Sequence, residues 1–416
     1  MKAARITLTI ALFGILFGLG FFARDVLAGN RPDFGAFGRL AAAPDKKTQN
    51  PVETFQANYG YILAKHGQNT TPEKLRYAAM GGLVASLGDP HTNFLEPKVN
   101  EKFNTETSGN YSGVGARLQQ DPLGARIAVV FAGGPAGNAG IKEGDIITQV
   151  DGKNVAGKPV DDIVDHILGE AGTPVTLGII RTGQDGIIQM PIVRQKVVIP
   201  TVESKNLEGN IAYISISGFS EPTPMQFEEA VRQADARNPA GMILDLRGNP
   251  GGLLESAVKM LSLFVDDKPA VTIKARDGKS ATLKTNRGQA ISGSYPITIL
   301  INEDSASAAE IFSGVMRDYG KAKLIGTHSY GKASVQELRR VPDGASVKVT
   351  IARYFLPSSG DIGRKVDEDG AYLSGGLKPD IEADIPRDFE GFKFAEPGHD
   401  PQLDKALEFI RKNRLN

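Results

Sequence analysis

The sequence predicts a mixed α/β (α+β) fold, and three observations support that prediction. From Ile211 onward, short apolar strands alternate with amphipathic helices, which is typical of a core with parallel strand pairing. Between Tyr111 and Arg194, short strands are separated by glycine turns. Glycine accounts for 48 of the 416 residues, and this excess predicts many tight turns or backbone-lined sites. The length predicts two or three domains.

Residues 1–28 have the pattern of a signal peptide or a membrane anchor. Lys2 and Arg5 precede an uncharged apolar run over residues 6–22, and the stretch ends on Val-Leu-Ala, which suits a cleavage site. The run is also close to the shortest length that spans a bilayer. Both interpretations stay open. Either one places residues 29–416 outside the cytoplasmic membrane, in the periplasm or another extracytoplasmic space.

The next segment, residues 29–108, is expected to be a linker followed by helices. Ala, Gly, Pro and Asn are frequent in residues 29–50, which indicates a linker. Helices are predicted over 51–66 and 72–87, with a proline at the first position of the second helix and a Gly-Asp-Pro sequence after it. His91 follows directly. A histidine beside a helix stop is expected to form structural hydrogen bonds rather than to catalyse.

Composition excludes several classes of function. Lys plus Arg and Asp plus Glu both number 48, so the formal net charge is zero, which argues against nucleic-acid binding. The absence of cysteine excludes cysteine proteases, thiolate zinc sites and disulfide frameworks. No two of the five histidines have zincin spacing, so no metal site is predicted.

The second half of the chain is expected to hold the α/β core. Residues 242–246 and Ile297 to Ile301 form short apolar strands, and helices are predicted over 253–264 and 306–319. A further helix is predicted over 401–412. Its apolar face suits packing on its own domain or on a partner subunit equally well.

One loop of this region carries a candidate nucleophile, Ser307. It lies between a strand and a helix, where the backbone N–H of Ala308 would meet developing negative charge at a helix N-terminus. An alternative remains open, because Ser307 and Glu310 also have the spacing of a capping box.

Lys332 is a candidate general base for this serine. A lysine acts as a base only if burial lowers its pKa towards about 7–8. If residues 331–336 are extended, Lys332, Ser334 and Gln336 share one face, and Gln336 would orient the amine. Two other motifs overlap this lysine and are disfavoured. A P-loop starting at Gly326 lacks the following Ser or Thr, and Ser329-x-x-Lys332 does not open a helix.

The glycine-rich middle region resembles a PDZ domain over residues 109–196. The glycine loop at 111–115 is followed by Pro-Ala-Gly-Asn-Ala-Gly-Ile at 135–141, Gly-Asp-Ile-Ile at 144–147 and Val-Asp-Gly at 150–152. PDZ domains hold a peptide's C-terminal carboxylate in such a loop. The resemblance implies that the carboxylate is bound by Ser112, Gly113, Val114 and Gly115.

Taken together, the motifs over residues 51–386 resemble those of the C-terminal processing peptidases, serine proteases with an inserted PDZ domain. The carrying stretches are Leu-Gly-Asp-Pro-His-Thr at 87–92, Leu-Asp-Leu-Arg-Gly-Asn-Pro-Gly-Gly at 244–252, Ser-Ala-Ser-Ala-Ala-Glu at 305–310, Asp-Tyr-Gly at 318–320 and Gly-Lys-Ala-Ser-Val-Gln at 331–336. The resemblance implies a protease core at 197–386, and the residues after it, 387–416, are predicted to form a C-terminal tail helix. It also assigns the nucleophile, the base, the orienting glutamine and two oxyanion-hole amides, which are Ser307, Lys332, Gln336, Gly251 and Ala308.

The sequence departs from the family pattern at three places. Glu303 and Asp304 would hold Lys332 protonated if they point towards it. Leu168 stands where relatives carry a basic residue thought to couple peptide binding to the active site. Residues 361–376 are longer than the usual loop at that place.

The expected function is therefore that of an exported serine endopeptidase without a cofactor. Its expected partners are protein or peptide substrates with apolar C-termini, an adaptor protein that delivers them, and further copies of the chain in a homo-oligomer. The alternative is a catalytically silent PDZ protein that binds peptides without cleaving them.

Overall fold

A computed structural model describes residues 50–291, 293–368, 371–385 and 391–413 of the chain. The chain divides into two compact units, one up to residue 76 and one from residue 77. In the first unit, helix α1 spans Pro51–Lys65 and has no buried side chain. The predicted signal peptide or anchor at 1–28 lies outside the described residues. None of the helices within the described ranges is long and apolar enough to cross a bilayer.

The other described helices, in chain order, are α2 Pro72–Ala85, α3 Pro97–Ser108, α4 Pro135–Asn138, α5 Val160–Ile167, α6 Thr223–Asp235, α7 Leu254–Leu261, α8 Ala308–Asp318 and α9 Pro401–Lys412. The described strands are β1 Asn93–Leu95, β2 Asn110–Gly113, β3 Ala116–Asp121, β4 Gly124–Val130, β5 Ile146–Val150, β6 Lys153–Asn154, β7 Pro174–Ile180, β8 Ile188–Val193, β9 Gln195–Val198, β10 Val202–Leu207, β11 Ile211–Ile216, β12 Gly241–Asp245, β13 Pro269–Ala275, β14 Ser280–Lys284, β15 Ile297–Ile301, β16 Lys323–Gly326, β17 Ser334–Arg340, β18 Ser346–Phe355, β19 Lys365–Val366, β20 Tyr372–Ser374 and β21 Ile381–Glu382.

The inserted domain is a small antiparallel sheet with two helices, α4 and α5, packed on it. Strands β2 and β9 pair with each other, so the chain enters and leaves the domain side by side. Between them the strand order is β3-β4-β5-β7-β8, with β6 paired to β5. Helix α5 contributes two buried residues to a separate hydrophobic core, whose members include Ile163, Ile167, Ile127, Ile147 and Leu177.

The core of the second unit is a sheet covered by helices on both faces. Its strand order is β10-β11-β12-β15-β16-β21, and every pairing from β11 to β21 is parallel. Side chains of β11 alternate between the faces. Ala212 and Ile214 belong to the hydrophobic cluster of α6, α7 and α8. Ile211 and Tyr213 belong to the cluster of α9.

The parallel pairing brings two loops to one edge of this sheet. Because β12 and β15 are neighbours, the loops that follow their carboxyl ends meet there. Ala306 N–H donates to the Asn249 carbonyl oxygen at 2.9 Å, and Gly248 N–H donates to Asn302 Oδ1 at 2.8 Å. The glycine-rich loop and the serine loop are therefore tied together.

A second, antiparallel sheet has the order β1-β18-β13-β14, with β17 also paired to β18. This sheet was not predicted from the sequence as a unit distinct from the core sheet. Asn93 of β1 pairs with Lys348 of β18, so the sheet joins residues far apart in the chain. Thr350 N–H donates to Thr92 Oγ1 at 3.1 Å, which fixes the segment around His91 against β18.

The tail helix α9 packs on its own domain, which decides between the two alternatives left open by the sequence. Leu403 and Leu407 are buried against the core sheet. Its N-cap residue Asp400 forms an ion pair with Arg247 at 2.8 Å, and Arg247 also pairs with Asp245 at 2.6 Å. All three charged side chains are buried, so this network fixes the tail to the loop after β12.

Candidate active site

Ser307 lies at the junction of the loop after β15 and helix α8. Its backbone has φ 55° and ψ −117°, a conformation that residues with a Cβ rarely adopt. Such strain costs about 1–3 kcal/mol and is typical of functional sites. The side chain is half-buried, so the hydroxyl sits at the edge of the core rather than within it.

Gly251 lies directly against this serine. Its φ is 96°, and a Cβ built on it would lie 2.7 Å from Ser307 Cβ and 2.9 Å from Ala308 N. Only glycine fits such a close approach. The Gly251 N–H donates to Asn249 Oδ1 at 2.8 Å in this structure. Ala308 is the first residue of α8, where backbone N–H groups have no acceptor within the helix.

The buried carboxylate of Glu310 joins the serine loop to the lysine loop. Oε2 accepts the backbone N–H groups of Ser307 and Lys332, both at 2.9 Å. Oε1 accepts the Gly331 N–H and the Ser329 hydroxyl, both at 2.6 Å. The capping contact predicted for Glu310 is therefore present on the Ser307 amide, but the same carboxylate also positions Lys332. Burial raises the pKa of Glu310, and these four donors oppose the rise.

Tyr354 joins the same two loops on their carbonyl side. Its hydroxyl donates to the Lys332 carbonyl oxygen and lies 3.4 Å from the Ser307 carbonyl oxygen. The ring is almost fully buried, and burial raises the pKa of Tyr354 well above its usual value. The two proposed dyad residues are thus held through their backbones by one carboxylate and one phenol.

The surroundings of Lys332 lower the pKa of its amine, which is the direction that a general base requires. Burial lowers the pKa of its amine, and the positive charge of Lys348 lowers it further, whereas Glu310 and Asp89 raise it. Because the lowering prevails, a larger fraction of the amine is neutral near pH 7 than for a free lysine. Glu303 and Asp304, the acids expected to protonate Lys332 if they point inward, are exposed and are not among the charges acting on it.

His91 lies closer to this site than the sequence indicated. Its backbone N–H donates to Asp89 Oδ1 at 3.0 Å, and its ring lies 6.2 Å from that of Tyr330. Burial lowers the pKa of His91, and the nearby charge of Lys332 lowers it further. The segment before β1 therefore lies within range of the charge on Lys332.

Gln336 makes contacts other than the one expected of it. Its amide nitrogen donates to Ser334 Oγ at 2.8 Å and to Thr350 Oγ1 at 3.3 Å. Lys332 precedes β17 rather than lying in it, and the register of β17 shifts between Val335 and Gln336. The simple alternation of side chains over 331–336 is therefore interrupted. The role of Gln336 in orienting the amine stays a prediction.

The structure excludes the two rival motifs at Lys332. A P-loop needs a helix after the lysine, whereas strand β17 follows here. The N–H groups of Gly331 and Lys332 already donate to Glu310. Ser329 lies in a loop, with its hydroxyl donating to the same carboxylate, instead of opening a helix. Over the described ranges, no cluster of three or more His, Asp or Glu side chains is arranged to hold a metal.

The predicted carboxylate-binding loop is covered by two side chains. Gly113, Val114 and Gly115 are buried. A Cβ built on Gly113 would lie 2.6 Å from the Tyr111 ring and 3.2 Å from a methyl group of Leu168. Burial raises the pKa of Tyr111, while the N–H groups of Ala116 and Gly115 oppose the rise by hydrogen bonding to its phenol oxygen. Leu168 thus packs on this loop.

Comparisons with known proteins give matches for both the core and the inserted domain. The profile of peptidase family S41 matches residues 210–383, and a PDZ-domain profile matches residues 126–181. A probable CtpA-like serine protease of Staphylococcus aureus (strain COL) is 34% identical over 346 residues, covering 82% of this chain and 67% of that protein. The chain belongs to peptidase family S41. A CtpA-like relative from Staphylococcus epidermidis is 35% identical over 345 residues.

This S41 peptidase is a serine-type enzyme of the C-terminal processing group and contains a PDZ domain. It spans about two thirds of the length of the two staphylococcal relatives, 67% in each case. An S41 protease structure from Bacteroides fragilis shares the fold at a TM-score of 0.52 and 17% identity, covering 89% of this chain and 99% of that one. The photosystem II D1 C-terminal processing protease matches at a TM-score of 0.45 and 28% identity, covering 81% and 89%.

The candidate site also contains Glu310 and Tyr354, which the sequence did not identify as site residues. The sequence indicated only a helix-capping role for Glu310 and no role for Tyr354. A local signal existed for Glu310, because an acid three residues after the nucleophile stands at the helix start. No local signal existed for Tyr354, since its place depends on the pairing of β18.

Proposed function

We propose that this S41 peptidase is an exported endopeptidase that captures protein C-termini in its PDZ domain and cleaves with a Ser307–Lys332 dyad. The observation that carries the proposal is the Glu310 carboxylate, whose Oε2 accepts the N–H groups of both residues at 2.9 Å. A buried carboxylate bound to both loops holds the nucleophile and the base in a fixed relation. The lowered pKa of Lys332 fits the role of the base.

The proposed reaction uses these residues in turn. The neutral amine of Lys332 takes the proton of the Ser307 hydroxyl, and Oγ attacks the carbonyl carbon of the substrate. The Ala308 and Gly251 N–H groups bind the oxyanion, and the Gly251 N–H exchanges Asn249 Oδ1 for it. The Lys332 ammonium protonates the leaving amine. Water, deprotonated by the same lysine, then hydrolyses the acyl-enzyme.

Substrate capture is assigned to the PDZ domain. The carboxylate of a C-terminus would bind the amides of Ser112, Gly113, Val114 and Gly115, and an apolar last residue would fill the adjoining pocket. Tyr111 and Leu168 pack against Gly113, so a bound C-terminus would lie beside these side chains. The basic residue expected for coupling is replaced by Leu168, so any coupling here acts through apolar packing. Delivery by an adaptor and assembly into a homo-oligomer stay predictions.

Cleavage of an unfolded protein with an apolar C-terminal tail tests the proposed dyad. Proteins lacking residues 1–28 are compared as wild type, Ser307→Ala and Lys332→Ala. The exposed residues of the β14 hairpin supply matched controls, Ser280→Ala and Lys279→Ala. We expect both dyad variants to lose cleavage while the controls retain it. Wild-type turnover by Ser307→Ala would refute the dyad.

Export is proposed from the sequence of residues 1–28 alone. A fusion of residues 1–40 to a reporter enzyme that is active only outside the cytoplasm tests it. We expect the fusion to show reporter activity. A variant that keeps Lys2 and Arg5 but has acidic residues within the apolar run at 6–22 should lose that activity. Equal activity with and without the apolar run would contradict export.

A further inference from the structure

In the segment predicted to be longer than the family pattern, residues 361–368 and 371–376 fold back onto Gly331, the residue before the proposed catalytic lysine. Arg364 N–H donates to the Gly331 carbonyl oxygen at 2.7 Å, one residue before Lys332. A Cβ built on Gly331 would lie 2.8 Å from the Gly376 nitrogen, so both ends of the segment touch this glycine. Strands β19 and β20 pair into a hairpin between these ends. The hairpin is therefore anchored beside the active site.

Aromatic and cationic side chains of this segment stack in a row that reaches Tyr330 and His91. The Arg364 guanidinium lies over the ring of Tyr372 at 5.3 Å and over that of Tyr330 at 5.6 Å. The Tyr330 ring in turn lies beside the ring of His91, whose pKa is lowered by burial and by the nearby charge of Lys332. On the outer side, His328 Nδ1 lies 3.2 Å from the Tyr372 hydroxyl. These planar groups thus form a row that begins at His91 and ends at the exposed His328.

The exposed guanidinium and apolar side chains of this row are suited to binding an acidic polypeptide segment. Arg364 is exposed and forms no ion pair with any residue that the structure describes. The neighbouring Asp361 is already paired with Arg353 at 2.9 Å. Stacking on two tyrosines restricts the guanidinium, so less rotamer freedom is lost when it binds a carboxylate. Tyr372 and Leu373 are 42% and 62% exposed and add apolar surface beside the charge.

We propose that Arg364, held between Tyr330 and Tyr372, forms a substrate subsite that binds an acidic side chain near the cleaved bond. The proposal rests on the proposed peptidase function and extends it to substrate choice. The carboxylate of a substrate Asp or Glu pairs with the guanidinium, while the flanking residues lie on Tyr372 and Leu373. A peptidase must hold the chain on each side of the scissile bond, and this hairpin supplies one such contact. Arg364 is a specificity residue and takes no part in proton transfer.

Matched pairs of substrates test the subsite. The cleaved bond of an unfolded substrate is mapped by mass spectrometry, and peptides spanning it carry Glu or Gln at each of the four positions on either side. We expect a preference for Glu over Gln of about tenfold in kcat/KM at one or two positions, carried mainly by KM. Arg364→Ala should abolish this preference, and Arg364→Lys should keep part of it. Arg276→Ala, at an exposed turn of another hairpin, should not change it.

Two outcomes would overturn the proposal. One is a wild-type enzyme with no preference for Glu at any of the eight positions. The other is an equal fall in Arg364→Ala on the Glu and Gln peptides, which would show a structural role at the Gly331 anchor. Anisotropy with the Ser307→Ala protein gives a separate readout of the same Glu preference in Kd. If Ser307→Ala and Lys332→Ala still cleave while this preference persists, the dyad has failed and the subsite stands.

Discussion

The Glu310 carboxylate accepts four hydrogen bonds, and Glu310→Gln removes its charge while keeping its shape. In the glutamine variant one oxygen becomes an NH2 group, which cannot accept. Two of the four donors then face another donor. If the nitrogen replaces Oε2, those donors are the N–H groups of Ser307 and Lys332. If it replaces Oε1, they are the Gly331 N–H and the Ser329 hydroxyl.

The expected magnitude follows from this count. Hydrogen bonds to a charged group contribute about 1.5–3 kcal/mol each, so two lost bonds lower the free energy of unfolding by at most about 3–6 kcal/mol. Removing a buried charge offsets part of this loss, because the carboxylate is desolvated in the folded protein. A shift of about 1 Å between nucleophile and base costs about 100-fold in rate. We therefore expect kcat to fall by about 100-fold or more with little change in KM.

Urea unfolding and steady-state cleavage, measured on one preparation, separate the two effects. Rates are taken where unfolding shows the variant to be folded, so that loss of kcat reports geometry. Glu255→Gln is the matched control, since Glu255 is an exposed glutamate in the first turn of α7. A folded Glu310→Gln enzyme with wild-type kcat would refute the conclusion that this carboxylate positions the dyad.

Three further predictions follow from the site and its support. Gly251→Ala should abolish cleavage while peptide binding persists, because its Cβ would meet Ser307; unchanged kcat would contradict this. Lys348→Gln removes a cation that lowers the pKa of Lys332, so the rise of kcat/KM with pH should move to higher pH; a shift to lower pH would contradict it. Arg247→Met leaves the buried carboxylates of Asp245 and Asp400 without their cation, so urea unfolding should show a free energy of unfolding lower by about 3–5 kcal/mol. A decrease of less than about 1 kcal/mol would show that the network contributes little to stability.

Local patterning was sufficient for the elements of the core. The apolar run at 297–301 is strand β15, and all five of its residues are buried. The helix predicted over 306–319 is α8, which begins at Ala308 and ends at Asp318. The predicted helix over 253–264 is shorter, because α7 ends at Leu261. These elements bury whole faces, so their periodicity is written in the sequence.

The second sheet was not predicted because its strands are only partly buried. Strand β18 has buried, half-buried and exposed residues in no regular alternation. Its partners β1 and β17 lie on opposite sides of it, and β1 is about 250 residues away in the chain. Such pairing is decided by long-range contacts rather than by local propensity. The same pairing places the segment around His91 at the active site.

The sequence by itself determined the chemistry available to this protein. The sequence alone identifies the serine at a predicted helix start, the lysine after a glycine and the glycine-rich loops. Only the tertiary structure decided which groups meet. The Glu310 carboxylate accepts hydrogen bonds from the backbone N–H groups of both Ser307 and Lys332. The Arg364 N–H donates to the Gly331 carbonyl oxygen. The physical reason is that hydrogen bonds and burial depend on distances between segments remote in sequence, which no local pattern encodes.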